Sequence, residues 1–169
     1  MKYKKIFVFM LIMSVLTTVY GQEKHRTIYR LPPLERAISC IKFYEDWHGE
    51  KKHWPYVGWG HKVLPYERFT NDITKTQGDS ILRADMRKLC RLFRKFGRDS
   101  TLLSCLAYQV GAFRLLGNRD LPKSKLIQKL EAGDRDIYKE YISFRCYRGK
   151  VIPSIERRRK VEYMLLFKE

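Results

Sequence analysis

The stretch Phe43-Tyr-Glu-Asp-Trp-His-Gly-Glu-Lys-Lys-His-Trp-Pro-Tyr-Val-Gly-Trp-Gly-His61 decides how this chain is read. It carries Glu45 and Glu50, the histidines His48, His53 and His61, and two glycines that alternate with aromatic and aliphatic residues near its end. Upstream of it Leu34, Ala37, Ile38 and Ile41 recur at helical spacing, which predicts an amphipathic helix running to about Asp46. At 100° per residue Glu45 falls within about 20° of the direction of Leu34, between Ile38 and Ile41 on the apolar stripe. A carboxylate so placed is desolvated and sits at the negative end of the helix dipole, and both effects help it hold the proton that a general acid must deliver. If the helix stops a turn earlier, Glu45 reaches water instead. Asp46 points about 100° away, which argues against a site shared with Glu45.

Beyond the polar loop, Tyr56 to His61 alternates, with Val57, Trp59 and His61 on one face and Tyr56, Gly58 and Gly60 on the other. The pattern predicts a short strand whose glycine face is kept bare for something to approach. Thr74-Lys-Thr-Gln77 has the form of a capping box, and Leu82, Met86, Leu89, Phe93 and Phe96 continue it as one long helix that Gly97 ends. Asp99-Ser100 can cap a second helix, apolar nearly all round from Leu102 to Val110, which reads as the central core helix. Shorter helices are predicted over Ser124–Ala132, Asp134–Phe144 and Ser154–Phe167. One small β element among six or so helices makes the fold class α+β, mostly α.

Composition limits the setting. Lys2, Lys4 and Lys5 precede an apolar run from Ile6 to Val19, followed by Tyr20-Gly21-Gln22. That is the form of a secretory signal peptide, too short for the roughly 20 residues that span a bilayer, with cleavage expected before Gln22; a retained membrane anchor is the competing reading. Residues 22–169 then form one domain without stable membrane insertion. Losing the three leader lysines leaves 32 Lys and Arg against 18 Asp and Glu, a formal +14 that seeks a polyanion. No nucleic-acid-binding motif accompanies the charge. Four cysteines, Cys40, Cys90, Cys105 and Cys146, allow three full disulfide pairings and fit no metal-ligand spacing. Cys105, in the apolar run Leu102 to Val110, suits a buried free thiol at least as well as a bridge.

A helix ending in glutamate, a polar loop and then Val57-Gly-Trp-Gly-His61 resembles the start of the phage-type lysozymes, the muramidases of glycoside hydrolase family 24. Gly58, Gly60 and His61 match the family's glycine-glycine-histidine strand. Further matches keep the family's order: Leu82-Arg-Ala-Asp-Met86, Ala107-Tyr-Gln-Val-Gly111, Lys129-Leu-Glu-Ala-Gly-Asp134, and Gly149-Lys-Val-Ile-Pro153 followed by Arg157-Arg-Arg-Lys-Val-Glu162. The resemblance covers Leu34 to Phe167. It implies a two-lobed lysozyme-like fold whose lobes are joined by the Thr74 to Phe96 helix, and hydrolysis of the β-1,4 bond between N-acetylmuramic acid and N-acetylglucosamine in peptidoglycan. Glu45 then takes the place of the catalytic acid, and counting back eleven residues from His61 brings Glu50 to that of the water-activating carboxylate. The loop before His61 is about four residues shorter than in the best-known members, so His48 and His53 stand as other bases. Tyr56 replaces the family's water-holding threonine. His61 takes a structural task, pairing with Asp85, while Gln109 lines the sugar cleft and Tyr108 and Val110 belong to the core. Arg157 and Arg158 are the expected partners of anionic wall peptides. No metal or organic cofactor is implied, and the expected species is an exported monomer acting in the periplasm or outside the cell. Two other readings compete: a lysozyme-like module that binds wall glycan without turnover, and a cationic protein that acts by charge alone.

Overall fold

The structure, a computed structural model, describes residues 28–168. The expected leader, residues 1–21, lies outside them. Residues 28–30 make a helical turn closed by the Leu31 N–H on the Ile28 carbonyl at 3.2 Å. This turn belongs to a unit that ends at Pro32, and the rest of the described chain forms a second unit from Pro33 onward.

Helix α1, Pro33–Tyr44, follows from the predicted stripe: Ala37, Ile38 and Ile41 are at most 2% exposed. It ends at Tyr44, and the Glu45 N–H still bonds the Ile41 carbonyl at 2.8 Å, so Glu45 continues the last turn. Strands β1, Tyr56–Val57, and β2, His61–Lys62, pair antiparallel with Tyr56 opposite Lys62 and Val57 opposite His61. The expected single strand over Tyr56 to His61 is therefore a hairpin. Gly58 and Gly60 have φ of +61° and +94°, a region that L side chains rarely enter, so the chain turns where alternation alone implied extension. The bare face has two visitors: Gly78 of the long helix, whose Cα lies 3.2 Å from where a Gly58 Cβ would be, and the Glu45 carboxylate beside Gly60.

Helix α2, Lys75–Leu92, is capped as its sequence specifies. The Gln77 N–H bonds Thr74 Oγ1 at 3.2 Å, and the Thr74 N–H bonds Gln77 Oε1 at 2.7 Å. Its 18 residues span about 27 Å and join the β-containing lobe to the helical one. It stops earlier than the periodicity implied, because residues 94–99 tighten into a 3₁₀ segment interrupted at Gly97. Helix α3, Ser100–Val110, is the expected core: Leu102, Leu103, Ser104, Cys105 and Leu106 have no exposed surface, and α1, α2 and the last helix pack around it.

After a short α4, Ala112–Leu116, come α5, Lys125–Glu131, and α6, Tyr138–Ile142. The expected helix from Asp134 begins late because Asp134 uses its carboxylate to accept the Asp136 N–H at 2.8 Å, fixing a turn first. A second hairpin then appears, β3 at Cys146–Tyr147 with β4 at Lys150–Val151, turned by Arg148 and Gly149 at positive φ. Helix α7, Pro153–Leu166, closes the unit against α1 and α3. Arg36 of α1 reaches the α7 carbonyl of Leu165 at 2.7 Å, satisfying one of that helix's terminal acceptors. All four cysteines are free thiols; Cys40 and Cys105 face each other between α1 and α3.

Candidate active site

Helix α1 delivers Glu45 to the floor of a cavity of about 230 Å³, lined also by His48, Tyr56, Gly60, Tyr108 and Gln109. The lining thus comes from the end of α1, the β1–β2 hairpin with the loop before it, and the C-terminal turn of α3. A wider depression of about 520 Å³ shares Tyr56, Gly60 and Tyr108 and runs on past Lys62, Lys88 and Ala112. Together they form a continuous cleft between the hairpin and α3. Gly60 lies against the acid: a Cβ there would stand 3.7 Å from Glu45 Oε2, an ordinary contact, so the glycine is required by its φ of +94°.

The environment of Glu45 differs from the apolar surround its helix stripe implied. Its side chain is 21% exposed, and Oε1 accepts a hydrogen bond from Arg158 Nη1 at 2.5 Å. Arg158, only 3% exposed, also donates Nε to Glu162 Oε1 at 2.8 Å. Burial opposes its charge, but Glu162 and Glu45 more than offset that and raise its pKa. Glu162 has no exposed surface; it accepts from Tyr141 Oη at 2.9 Å and lies 2.6 Å from Arg159 Nη1. Arg159 in turn donates to Gln109 Oε1. A buried polar chain therefore ties Glu45 and Gln109 to one face of α7.

This corrects the reading of the Arg157–Lys160 run. Arg158 was expected to meet anionic peptides, yet it is buried and faces Glu45, while Arg159 is wholly enclosed. The reason is Glu162, four residues after Arg158 and three after Arg159, which draws both guanidinium groups inward on one helix face. Arg157 is exposed and does not line the cleft. Glu50 is not brought to Glu45's cavity either: it is exposed at the start of the 3₁₀ turn Lys51–His53, with Oε2 3.0 Å from Lys52 Nζ. Lys52 and His53 hold its carboxyl below the usual range, the hydrogen bond from Lys52 first. Asp46 is exposed and outside the lining, and His53 touches the site only through His48.

Tyr56 and Gln109 both line the cavity. Tyr108, expected in the core, is half-buried and shared by both parts of the cleft. Its hydroxyl donates to the Trp59 carbonyl at 2.9 Å, pinning the hairpin to α3, and burial raises its phenol. His61 has the structural partner expected of it, with Nδ1 2.6 Å from Asp85 Oδ2. It also has one that sequence reasoning missed: Nε2 lies 2.9 Å from Glu67 Oε2. The hydrogen bond from Asp85 raises the His61 pKa; burial opposes that, and Glu67 adds to it. Glu67 could have been suspected from Leu64-Pro65-Tyr66-Glu67, a turn in which it accepts the Leu64 N–H at 2.8 Å. His48 is placed by a β-bridge to Gly58, formed by hydrogen bonds of 2.8 and 3.2 Å, that no periodicity announced. Among the described residues no group of three or more His, Cys, Asp or Glu could hold a metal ion.

Residues 41–162 match the family model described as phage lysozyme. Among solved structures the chain is similar to an endolysin from Escherichia coli O157:H7 phage FAHEc1, with a TM-score of 0.61 and 18% sequence identity. That match covers 81% of this chain and 94% of the endolysin, and at such identity it speaks for the fold. No curated protein sequence matches the chain.

Proposed function

Because the chain belongs to the phage lysozyme family, a family of peptidoglycan hydrolases, we propose that it cleaves the β-1,4 bond between N-acetylmuramic acid and N-acetylglucosamine in the bacterial wall, with Glu45 as general acid. One observation carries the reading: Glu45 is the one carboxylate among the described residues that line its cavity, with Oε2 beside Gly60. In this mechanism Glu45 protonates the glycosidic oxygen and the leaving sugar departs. Arg158 holds Glu45 Oε1, so Oε2, the oxygen facing Gly60, is the one that carries the proton to the bond. After transfer the new carboxylate is stabilised by the guanidinium already in place.

Water attacks from the opposite face of the sugar, with Tyr56 orienting it and Glu50 taking its proton. The exposed pair with Lys52 is a weak restraint, so Glu50 can turn toward the cleft when a glycan is bound. Inversion of the anomeric centre follows if the two carboxyl groups then stand roughly 6.5–9.5 Å apart. The positive charge of the chain and its expected leader suit action on the wall outside the cytoplasm.

The test is reducing-sugar release from purified peptidoglycan. Glu45→Gln should lower turnover by at least the 10²–10⁴-fold, in order of magnitude, of general acid catalysis, and Glu50→Gln should cause a comparable loss. Full activity of folded Glu45→Gln removes the mechanism. The outward placement of Glu50 favours a second reading, a module that binds wall glycan without turnover. Peptidoglycan pull-down by a wild-type protein that releases no reducing sugar selects that one.

A further inference from the structure

His48 lines the cavity beside Glu45, yet the protein gives its ring no work. Its main chain is fixed by two hydrogen bonds to Gly58, and its ring packs edge-on against His53 at 5.0 Å between centroids and near Tyr56 at 6.1 Å. So the side chain is held in place without being hydrogen-bonded. Nδ1 is buried and meets no acceptor or donor. Nε2 is not enclosed in the same way, and among the described residues it too has no protein partner.

Two roles could use such a ring. As a base taking a proton at Nε2, it would carry the Nδ1–H in a buried position with nothing to accept it, and a general-base histidine needs a group behind that N–H. His61 shows what this chain builds when a histidine is to be charged: a carboxylate on each nitrogen, Asp85 at 2.6 Å and Glu67 at 2.9 Å. His48 has neither. The arrangement with least cost leaves the lone pair at Nδ1 and the proton on Nε2, which makes the ring a neutral donor toward the cavity.

Resting on the glycan-hydrolase reading above, we propose that His48 is a substrate-binding residue whose Nε2–H donates to an uncharged acceptor oxygen, a hydroxyl or acetamido carbonyl, of the sugar seated next to Glu45. A neutral donor suits a neutral acceptor, whereas an anionic peptide would be better met by the lysines farther along the cleft, Lys62 and Lys88. The proposal separates His48 from proton transfer and assigns it to sugar recognition. The Gly58 bridge fixes the main chain from which the ring reaches the cavity.

The probe is an oligomer of N-acetylglucosamine, with binding to the Glu45→Gln protein measured calorimetrically. Adding His48→Phe, which keeps an aromatic ring against His53 and Tyr56, should weaken binding about two- to tenfold, the range of one neutral hydrogen bond. His48→Gln, which returns an N–H near the Nε2 position, should restore most of it. In the chain with Glu45 intact, His48→Phe should raise KM for peptidoglycan by a similar factor and leave kcat within about twofold of wild type. Imidazole ¹⁵N shifts of the wild-type protein should show the Nε2–H tautomer for neutral His48, a readout that needs no variant. Unchanged binding in His48→Phe, a kcat loss near that of Glu45→Gln, or the Nδ1–H tautomer would each overturn the proposal. If the oligomer binds and wild type releases no sugar from peptidoglycan, the hydrolytic reading fails while His48 recognition stands on the binding data. If neither the oligomer nor peptidoglycan binds, both fail.

Discussion

Replacing His61 by asparagine should destabilise the protein by an amount that depends on pH, and the direction follows from its two partners. Protonated His61 donates to Asp85 and Glu67, whose side chains are only 18% and 14% exposed. A hydrogen bond to a charged group contributes about 1.5–3 kcal/mol, and two sharing one ring are not additive, so about 3 kcal/mol is a fair total. His61 has its pKa raised above 6.5, hence its contribution is complete below about pH 6.5 and is lost as pH climbs through the folded-state value. Glu67 is pulled below 4.5, against its burial, by the Leu64 N–H and His61; its contribution is present above about pH 4.5 and lost as pH falls through its folded value. The cluster is therefore fully effective between about pH 4.5 and 6.5. At pH 5.5, His61→Asn should cost about 3 kcal/mol, near 10 °C in Tm for a domain of this size. By pH 9 the gap should narrow by about 1.4 kcal/mol for each pKa unit by which folding raises His61. Urea unfolding of both proteins from pH 5 to 9 makes the comparison and cancels the titration of distant groups. A gap of constant size across that range, or none at pH 5.5, refutes the ion-pair account. Residual wall hydrolysis in folded His61→Asn would agree with its structural task, and a folded variant of unchanged stability with no activity would make His61 catalytic.

Arg158→Met should cost about 3–5 kcal/mol, because it strips buried Glu162 of one partner and Glu45 of its only ion pair among the described residues; thermal unfolding reads this, and a loss below about 1 kcal/mol contradicts the network. Gly78→Ala should destabilise by about 1–3 kcal/mol, since its Cβ would lie 2.7 Å from the Trp47 ring, and a stabilised variant would show that the contact between α2 and the loop before β1 is looser than drawn. The exported chain should begin at Gln22, and an intact mass that includes residues 1–21 would contradict the leader reading.

What the sequence determined by itself was local. The stripe of Ala37, Ile38 and Ile41, the Thr74–Gln77 capping box and the apolar run from Leu102 to Leu106 each set an element through contacts a few residues apart, and each is found where its pattern put it. The link from Glu45 to Gly60 was partly legible too, as an acid on a buried helix face and a strand kept bare. Glycine is ambiguous to a periodicity argument, however: at Gly58 and Gly60 the same residues that could leave a strand face empty instead turn the chain at positive φ. What only tertiary structure decided was the pairing of charge. Arg158 meets Glu45 across 113 positions of sequence, and Arg159 meets Gln109 across 50. A run of arginines reads as a site for an anionic partner until it is known which acid of the same chain lies opposite. The same applies to Glu50 and His48, two residues apart in one loop: the β-bridge to Gly58 turns one into the cavity, and the 3₁₀ turn leaves the other outside. Periodicity reports which way a side chain leaves its own element; the free energy of a buried charge is set by what another element brings to it.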